Sequence, residues 1–537
     1  MFQKYLNSLI SNWKEILYFL VLGTFIVALS TSIALITISV IAMLVLWVLT
    51  GDYKEKWNRL IHNTGALLMM SIPLLYLIGL CFTHNLSLGF HELNKSSYWF
   101  IFAFVLGSLP PISYKAASRL LGIYIITVTI AAGAALLKFV SSNAIHYFDF
   151  REVTWIHHIP FSFQIAFAIW IIFYFIYYKN FSWIQKILLL FLIAFLTLTL
   201  FSLKSFSGYL YFGVMSITAL LMLMWKTKKK WLKFALMGSV IFITILPVFY
   251  VYHCVQKFYN VIEYKPNEIE QYTANGNKYK HNFNNKTKEN GNYVGLFLCE
   301  KELIPLWDAH SCKPYQSNTM NGHPFRSVIV RYMTSKGLTK DAEGFAQLSQ
   351  KDIENIENEL PNYIYAENKL SIYPRIYETI WEMDQYIHNQ YPNEKTLSQR
   401  IELSRLAVVI IKKQFWLGIG LGNNAFAYED AIVETGSKLV FMNLNSSHNQ
   451  YLNYLMRFGI FGTLYILGVL FWVFIKGRKN NPFLITIFFV SILAANFAEI
   501  NWETFLGLNF FGFFMCFFMW AVPKNFLNEQ QVFENNS

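Results

Sequence analysis

SSHNQYLNYLMRFGIFGTLYIL, residues 446–467, is the stretch in which a long polar segment gives way to an apolar helix. Upstream of it, SQRIELSRLAVVIIKKQFWLGIGLGNNAF (residues 398–426) joins an arginine-bearing amphipathic helix to a glycine-rich turn. Polar residues dominate from 254 to 452, and apolar runs dominate on both sides of that segment. The fold therefore depends on how this polar segment is attached to its apolar neighbours.

The composition is that of a polytopic membrane protein. Of the 537 residues, 55% are hydrophobic and only 14% are charged, and the mean hydropathy is positive. A helical span needs about 20 apolar residues. The chain supplies about twelve such runs, at 16–31, 33–50, 64–83, 98–114, 118–138, 161–178, 184–203, 208–225, 233–253, 453–475, 483–499 and 503–521. The predicted fold class is an all-α polytopic integral membrane protein with about 12 transmembrane helices and one large, mostly helical periplasmic loop.

Basic residues predict the orientation of these spans. The clusters around Lys54, Lys226 and Lys476 all fall on one side if the N-terminus is cytoplasmic, which is the pattern of inner loops. This orientation, rather than nucleic-acid binding, accounts for the net charge of +12. The predicted domains are an N-terminal bundle of about nine helices (1–253), a periplasmic loop (254–452), C-terminal transmembrane helices (453–522) and a cytoplasmic tail (523–537). The predicted location is the inner membrane of a bacterium.

Within the polar segment, residues 326–338, 349–365 and 375–391 have helical patterns, and residues 276–293 are typical of an exposed loop. Three of the five cysteines, Cys254, Cys299 and Cys312, fall at its start or inside it. One disulfide is possible there if the segment faces an oxidising space, with Cys299–Cys312 as the natural pair.

Two cationic sites have alternative interpretations. The helix from Arg400 to Phe415 places Arg400 and Arg405 on different faces. It is either an interfacial helix that touches lipid head groups or a phosphate-binding element that uses the arginine fork. Lys204, at the outer end of an apolar run, either snorkels to the interface or faces the bundle interior as a functional group.

His448 and Asn449 stand directly before the apolar helix. A histidine at a helix start is often structural, but Ser446 and Ser447 could cap this helix and leave the imidazole available as a general base. The preceding turn, GIGLGNNAF at residues 418–426, follows no strand, so a nucleotide loop is not expected. A helix stop with left-handed glycines is predicted instead.

Together these residues resemble the O-antigen ligase family, membrane enzymes that share a domain with O-antigen polymerases. The resemblance is carried by Arg400 followed by the Gly418–Gly422 turn, and by HNQYL at residues 448–452 followed by Gly459 and Gly462. A large outer loop before the last helices is similar to the family's architecture. Residues 330–357 also resemble a segment of Bacteroidetes-type members.

The resemblance implies transfer of a glycan from undecaprenyl diphosphate to an acceptor, with inversion and without a metal or other cofactor. The expected activity is that of a ligase, in which the acceptor is lipid A–core; the alternative within the family is a polymerase, in which the acceptor is another carrier-linked repeat unit. The implied partners are these lipids and the membrane, with no nucleic acid. The implied base is His448, supported by Asn449. The implied diphosphate-binding residues are Arg400, Lys204, Arg331, Arg375 and Arg405.

One position departs from the family pattern. Where the family commonly has S-R-x-G, this chain reads Ser205-Phe206-Ser207-Gly208, with phenylalanine in place of arginine. Lys204 is the candidate to supply the charge, although a lysine cannot form a bidentate fork. An alternative from another class is a polysaccharide flippase or exporter without chemistry, which would more often show repeated membrane segments and charges at the midplane.

Overall fold

The computed structural model describes residues 13–141, 150–367, 371–393, 396–440, 446–479 and 481–523. The predicted tail beyond residue 523 lies outside them. The chain divides into two compact units. Of the described residues, those within 13–141, 150–243 and 399–523 belong to the first unit, and those within 244–398 belong to the second. The predicted loop 254–452 is therefore divided at residue 398: its described residues up to 398 belong to the second unit, and those from 399 onward belong to the first.

The chain up to residue 259 forms helices from its apolar runs, because only a helix satisfies every backbone group within one apolar segment. Polar residues at the breaks cap them: Asn85 accepts a hydrogen bond from Leu88 N, and Ser182 forms a capping box with Gln185. The helices are α1 (Trp13–Thr31), α2 (Ile33–Leu49), α3 (Tyr53–Ile61), α4 (Thr64–Met70), α5 (Ile72–Gly79), α6 (Leu86–Ser108), α7 (Tyr114–Ser141), α8 (His158–Tyr178), α9 (Trp183–Ser202), α10 (Phe206–Lys226) and α11 (Lys230–Tyr259).

The second unit is mainly helical with one small ladder. Strands β1 (Lys288–Glu289) and β2 (Asn292–Tyr293) pair antiparallel. The helices are α12 (Glu300–His310), α13 (Arg326–Ser335), α14 (Ala342–Ala346), α15 (Gln350–Glu357), α16 (Ile364–Glu367) and α17 (Tyr373–Asn389). Helices α13, α15 and α17 confirm the three predicted helical segments. The segment 276–293 is not wholly exposed, because Glu289 is fully buried against Arg331.

The predicted Cys299–Cys312 disulfide is wrong, because all five cysteines are free. Cys299 precedes α12 and Cys312 follows it. The 11 residues of this helix span roughly 16 Å at 1.5 Å per residue. A disulfide requires Cα atoms about 4–7 Å apart. The helix between the two cysteines thus holds them too far apart to bond.

The described residues between 396 and 523 form five helices: α18 (Thr396–Lys413), α19 (Asn424–Thr435), α20 (Gln450–Gly477), α21 (Pro482–Ala495) and α22 (Phe505–Cys516), which continues as a π-helix over Phe517–Ala521. Helices α18, α19 and α20 pack together through Leu406, Tyr428 and Met456. The core of the first unit is strongly aromatic. Phe167 on α8, for example, packs against the rings of Phe488 and Phe514.

Within the described residues, eight segments are long and apolar enough to cross a membrane, or nine if α2 and α3, which meet at 114°, form one span. Helices overlap all twelve predicted runs, but α21 and the α22 segment are shorter apolar helices, and α6, which overlaps the run 98–114, is not among the candidate spans. The chain is thus an all-α membrane protein with almost no sheet. The count of twelve spans stays a prediction.

The glycine-rich turn after α18 packs against a break in α20. Gly418, Gly420 and Gly422 all have positive φ (73°, 80° and 69°), which confirms the predicted left-handed helix stop. Helix α20 is interrupted at Gly459 (φ 59°, ψ −168°). The turn supplies hydrogen-bond donors to carbonyls next to the break in α20: Ile419 N and Gly420 N donate to the carbonyls of residues 456 and 457 at 2.7 and 3.0 Å.

Candidate functional site

Arg400 lies in a polar cluster inside the first unit. Its Nη1 donates to Glu499 Oε1 at 3.0 Å and to the carbonyl of Ala498 at 2.7 Å. The same Glu499 oxygen accepts a hydrogen bond from Ser207 Oγ at 2.7 Å. We call Arg400, Glu499, Ser207 and the neighbouring His448 the Arg400 cluster. It joins α18, the start of α10, the start of α20 and the α21–α22 loop.

Among the residues that the structure describes, only the Nη1 atom of the Arg400 guanidinium has hydrogen-bond partners. Its side chain is 22% exposed and that of Glu499 is 12% exposed, so the ion pair is largely removed from solvent. The Nε atom is buried and has no hydrogen-bond partner among the residues that the structure describes. A buried donor without a partner is costly. The Nε N–H of Arg400 is thus a donor whose acceptor the described residues do not supply.

His448 lies two residues before α20 and interacts with both charges of this ion pair. Its backbone is left-handed (φ 54°), which is uncommon for a residue other than glycine and strains the chain. Burial lowers the pKa of His448, the positive charge of Arg400 lowers it further, and Glu499 opposes the shift. At neutral pH the imidazole is therefore uncharged, which is the form that accepts a proton.

Asn449 caps α20, so the prediction that Ser446 and Ser447 cap it was wrong. The Asn449 side chain accepts from Tyr451 N at 3.0 Å and from Leu452 N at 3.1 Å. It is the extended residue directly before the helix, which is the position from which a side chain reaches these N–H groups. Asn449 thus fixes the start of the helix, and His448 is not used as its cap.

The residues after Asn449 hold the loop that carries Glu499. Gln450 N donates to Asn496 O at 2.9 Å, and Gln450 Oε1 accepts from Trp502 N at 2.9 Å. Tyr451 OH donates to Leu493 O at 2.7 Å. The motif HNQYL therefore has two effects: it presents His448 and it anchors the loop 496–504.

The turn between α9 and α10 reaches the cluster through Ser207. Ser205 caps α10 by accepting from Gly208 N at 3.2 Å, and a side chain at Gly208 would collide with Ser162. Lys204 adopts a left-handed backbone (φ 47°) at this turn and is partly exposed. The segment Ser205–Gly208 therefore contributes Ser207 to the Arg400 cluster. The role of Lys204 in binding stays a prediction.

The three other predicted arginines pair with carboxylates of their own unit. Arg405 belongs to the first unit, on another face of α18, and Arg331 and Arg375 belong to the second unit. The pairs are Arg405–Glu402 (2.7 Å), Arg331–Glu289 (2.7 Å) and Arg375–Glu378 (2.6 Å). Their part in diphosphate binding stays a prediction.

Sequence reasoning missed Glu499, Ser207 and a second buried ion cluster around Arg457. Arg457 Nη1 pairs with Glu503 Oε1 at 2.7 Å, and its Nη2 pairs with Glu92 Oε1 at 2.5 Å. A signal was present, because Glu499 and Glu503 are the only acidic residues of the sequence between positions 435 and 528. Ionisable residues in so apolar a context are functional candidates by default.

Comparison with known protein families identifies the segment that contains most of this site. Residues 362–467 match the family model described as O-Antigen ligase. The chain carries an O-antigen ligase domain. This confirms the predicted family and links the chain to lipopolysaccharide biosynthesis. The O-antigen ligase domain includes Arg400, the glycine turn, His448 and Arg457, whereas Ser207 and Glu499 lie outside it. A comparison with curated proteins found no match.

The domain and the apolar helices together define the broad class. The chain is a bacterial membrane protein of the O-antigen ligase and polymerase type, a family of glycosyltransferase-type enzymes that act on lipid-linked glycans in the membrane.

Proposed function

We propose that the protein transfers a glycan from undecaprenyl diphosphate to lipid A–core at the periplasmic face of the inner membrane. The observation that carries this proposal is the Arg400 cluster itself. An arginine whose buried Nε has no partner among the described residues lies in one polar cluster with a histidine whose pKa is lowered. Both residues belong to the matched O-antigen ligase domain. One group suits a leaving diphosphate and the other suits an attacking hydroxyl.

The proposed reaction is a single displacement. The oxygen of an acceptor hydroxyl forms a bond to the anomeric carbon, and the bond between that carbon and the diphosphate oxygen breaks. The electron pair leaves with undecaprenyl diphosphate, and the hydroxyl proton passes to the neutral imidazole of His448. Attack opposite the leaving group inverts the anomeric centre. No metal is required, because Arg400 offsets the charge that develops on the diphosphate.

Glu499 has two roles in this proposal. It fixes the guanidinium of Arg400 before substrate arrives, so that little reorganisation is needed as charge develops. It also opposes the effect of Arg400 on the pKa of His448 and so keeps the imidazole more basic than it would be beside the arginine alone. Ser207 orients the carboxylate.

The proposal includes a topology. Twelve spans with both termini in the cytoplasm would place residues 254–452 in the periplasm, where carrier-linked glycans meet their acceptors. Lys204, at the turn beside Ser207, is the next candidate for the diphosphate. Arg331, Arg375 and Arg405 would have to exchange their carboxylate partners for phosphate, so they rank behind it.

The test is the fate of the glycan in a deletion strain. The strain is complemented with wild type, His448→Ala or Arg400→Ala, and surface lipopolysaccharide and carrier-linked glycan are resolved by size. Two exposed residues supply matched controls: His310→Ala, at the end of α12, and Lys412→Ala, on the same helix as Arg400. Protein levels in the membrane are measured for every variant.

The size pattern separates the candidate functions. Long polymer that accumulates on the carrier and is absent from lipid A–core identifies a ligase. A surface that keeps single repeat units but lacks long chains identifies a polymerase, in which the acceptor is another carrier-linked unit. If His448→Ala is expressed normally and restores the wild-type pattern, the proposed base is wrong, and a flippase without chemistry becomes the better account.

A further inference from the structure

A second polar site in the first unit is a cavity of about 300 Å³ beside α20. Arg457, Glu92 and Glu503 form its charged wall, and Tyr76, Lys95 and Trp502 also line it. Its volume is at the lower end of the range for small-molecule sites. It therefore has room for a single small polar group rather than for a polymer.

The charged wall of the cavity is internally compensated. Arg457 is 6% exposed, and each of its three nitrogens has a partner: Nη1 bonds to Glu503, Nη2 to Glu92, and Nε to Asn424 Oδ1 at 3.3 Å. An anion that bound Arg457 would have to displace a buried carboxylate and leave it unpaired, which is strongly unfavourable. Unlike Arg400, this arginine is not available to a phosphate.

The cavity nevertheless presents many hydrogen-bonding groups. Each carboxylate of the wall accepts a further hydrogen bond. Glu503 accepts from Tyr76 OH at 3.2 Å, and Glu92 accepts from Gly422 N at 3.0 Å. The ammonium of Lys95 brings the formal charge of Arg457, Lys95 and the two glutamates to zero. The aromatic residues Tyr76 and Trp502, each 2% exposed, also line the same space. A set of polar groups with no net charge, next to aromatic and aliphatic residues, matches a ring that has hydroxyls at its edge and C–H groups on its face.

The cavity is tied to the Arg400 cluster by two short pieces of chain. Ile500 lines the cavity, and the residue before it is Glu499, which binds Arg400. Ser446 lines the cavity, and His448 follows two residues later. A ligand in the cavity that contacts Ile500 or Ser446 would therefore influence the position of Glu499 or His448 in the Arg400 cluster.

We propose that this cavity is a subsite for one uncharged sugar residue of the glycan substrate. This inference rests on the proposed function, which identifies the ligand as a glycan. It adds a second place at which the protein binds that glycan. The diphosphate and the sugar would then be bound by two different arginine clusters, one with a free donor edge and one without.

The experiment measures equilibrium binding of the oligosaccharide that mild acid releases from the carrier lipid of the same bacterium. Full-length protein in detergent is titrated and followed by saturation-transfer NMR. Ala425→Phe fills the cavity from α19, and Leu88→Trp narrows it from α6. The matched control is Val433→Phe, because Val433 is on α19 and is 76% exposed. Thermal unfolding checks that each variant is folded.

We expect wild type and Val433→Phe to bind equally, and Ala425→Phe and Leu88→Trp to bind at least about tenfold more weakly. Inorganic diphosphate at saturating concentration should not displace the oligosaccharide. Wild type that does not bind it, two folded cavity-filling variants that bind it normally, or displacement by diphosphate would each overturn the subsite.

Failure of the subsite and failure of the proposed reaction give different results. His448→Ala should bind the oligosaccharide like wild type and transfer nothing. If His448→Ala transfers normally, the reaction as proposed fails, whatever the binding result. If all variants bind alike and only His448→Ala loses transfer, the reaction stands and the subsite does not.

Discussion

Replacing Arg400 by lysine tests whether the arginine binds substrate or only neutralises Glu499. The Nη1 atom of Arg400 contacts Glu499 Oε1 at 3.0 Å and the carbonyl of Ala498 at 2.7 Å, and a lysine ammonium has enough donors for both contacts. It has no second, planar edge to replace the buried Nε. Arg400→Lys should therefore fold normally and retain the ion pair while losing the proposed diphosphate contact.

The expected loss of turnover in Arg400→Lys follows from the role proposed for the Nε donor. Removing one preorganised donor to a developing negative charge costs about 100- to 1,000-fold in turnover, or about 2.7–4 kcal/mol. We expect Arg400→Lys to lie in this range. Arg400→Ala should be at least as slow, because it also leaves Glu499 unpaired in a site where that carboxylate is only 12% exposed.

The assay is transfer by detergent-purified protein from carrier-linked glycan to the acceptor, with initial rates at saturating substrate. Lys412→Gln is the control for a lost cation on the same helix, and it should transfer like wild type. Thermal unfolding should show Arg400→Lys within a few degrees of wild type. Wild-type turnover by Arg400→Lys would refute the proposed contact and leave Arg400 with a structural role only.

The imidazole of His448 should govern the acid limb of the pH–rate profile. Because burial and a neighbouring cation lower the pKa of His448, the rate of transfer should hold below pH 6.5 and fall only as the pH drops through that lowered pKa. Glu499 raises the pKa of His448, so Glu499→Gln should move this acid limb to lower pH. A move to higher pH would contradict the assignment. Gly459→Ala should lower the melting temperature or prevent folding, since its φ is positive and a Cβ there would collide with backbone; an unchanged thermal scan would contradict this. Glu289→Ala should destabilise the second unit by roughly 3–5 kcal/mol because it leaves Arg331 unpaired, and resistance to trypsin within residues 244–398 equal to wild type would count against it.

Local sequence patterns predicted the helices well. Apolar runs and caps are written in consecutive residues, so helices overlap every predicted run, and α13, α15 and α17 form where the periodicity indicated them. The left-handed turn at Gly418–Gly422 was also predictable, because only glycine takes positive φ so freely. The predicted Cys299–Cys312 pair was wrong because the prediction did not take account of the helix between the two residues, which keeps them apart.

The candidate site shows where local patterns stop being sufficient. The sequence alone determined that Arg400 and His448 are the leading candidates and that both lie in the last part of a polar segment between apolar helices. Only the tertiary structure decided their partners, because Arg400 and Glu499 are 99 residues apart, and Ser207 and Glu499 are 292 apart. An ion pair has no local periodicity and depends on which helix ends pack side by side. For the same reason the three-way pairing of Arg457 with Glu92 and Glu503, and the cavity beside it, became visible only in the folded chain.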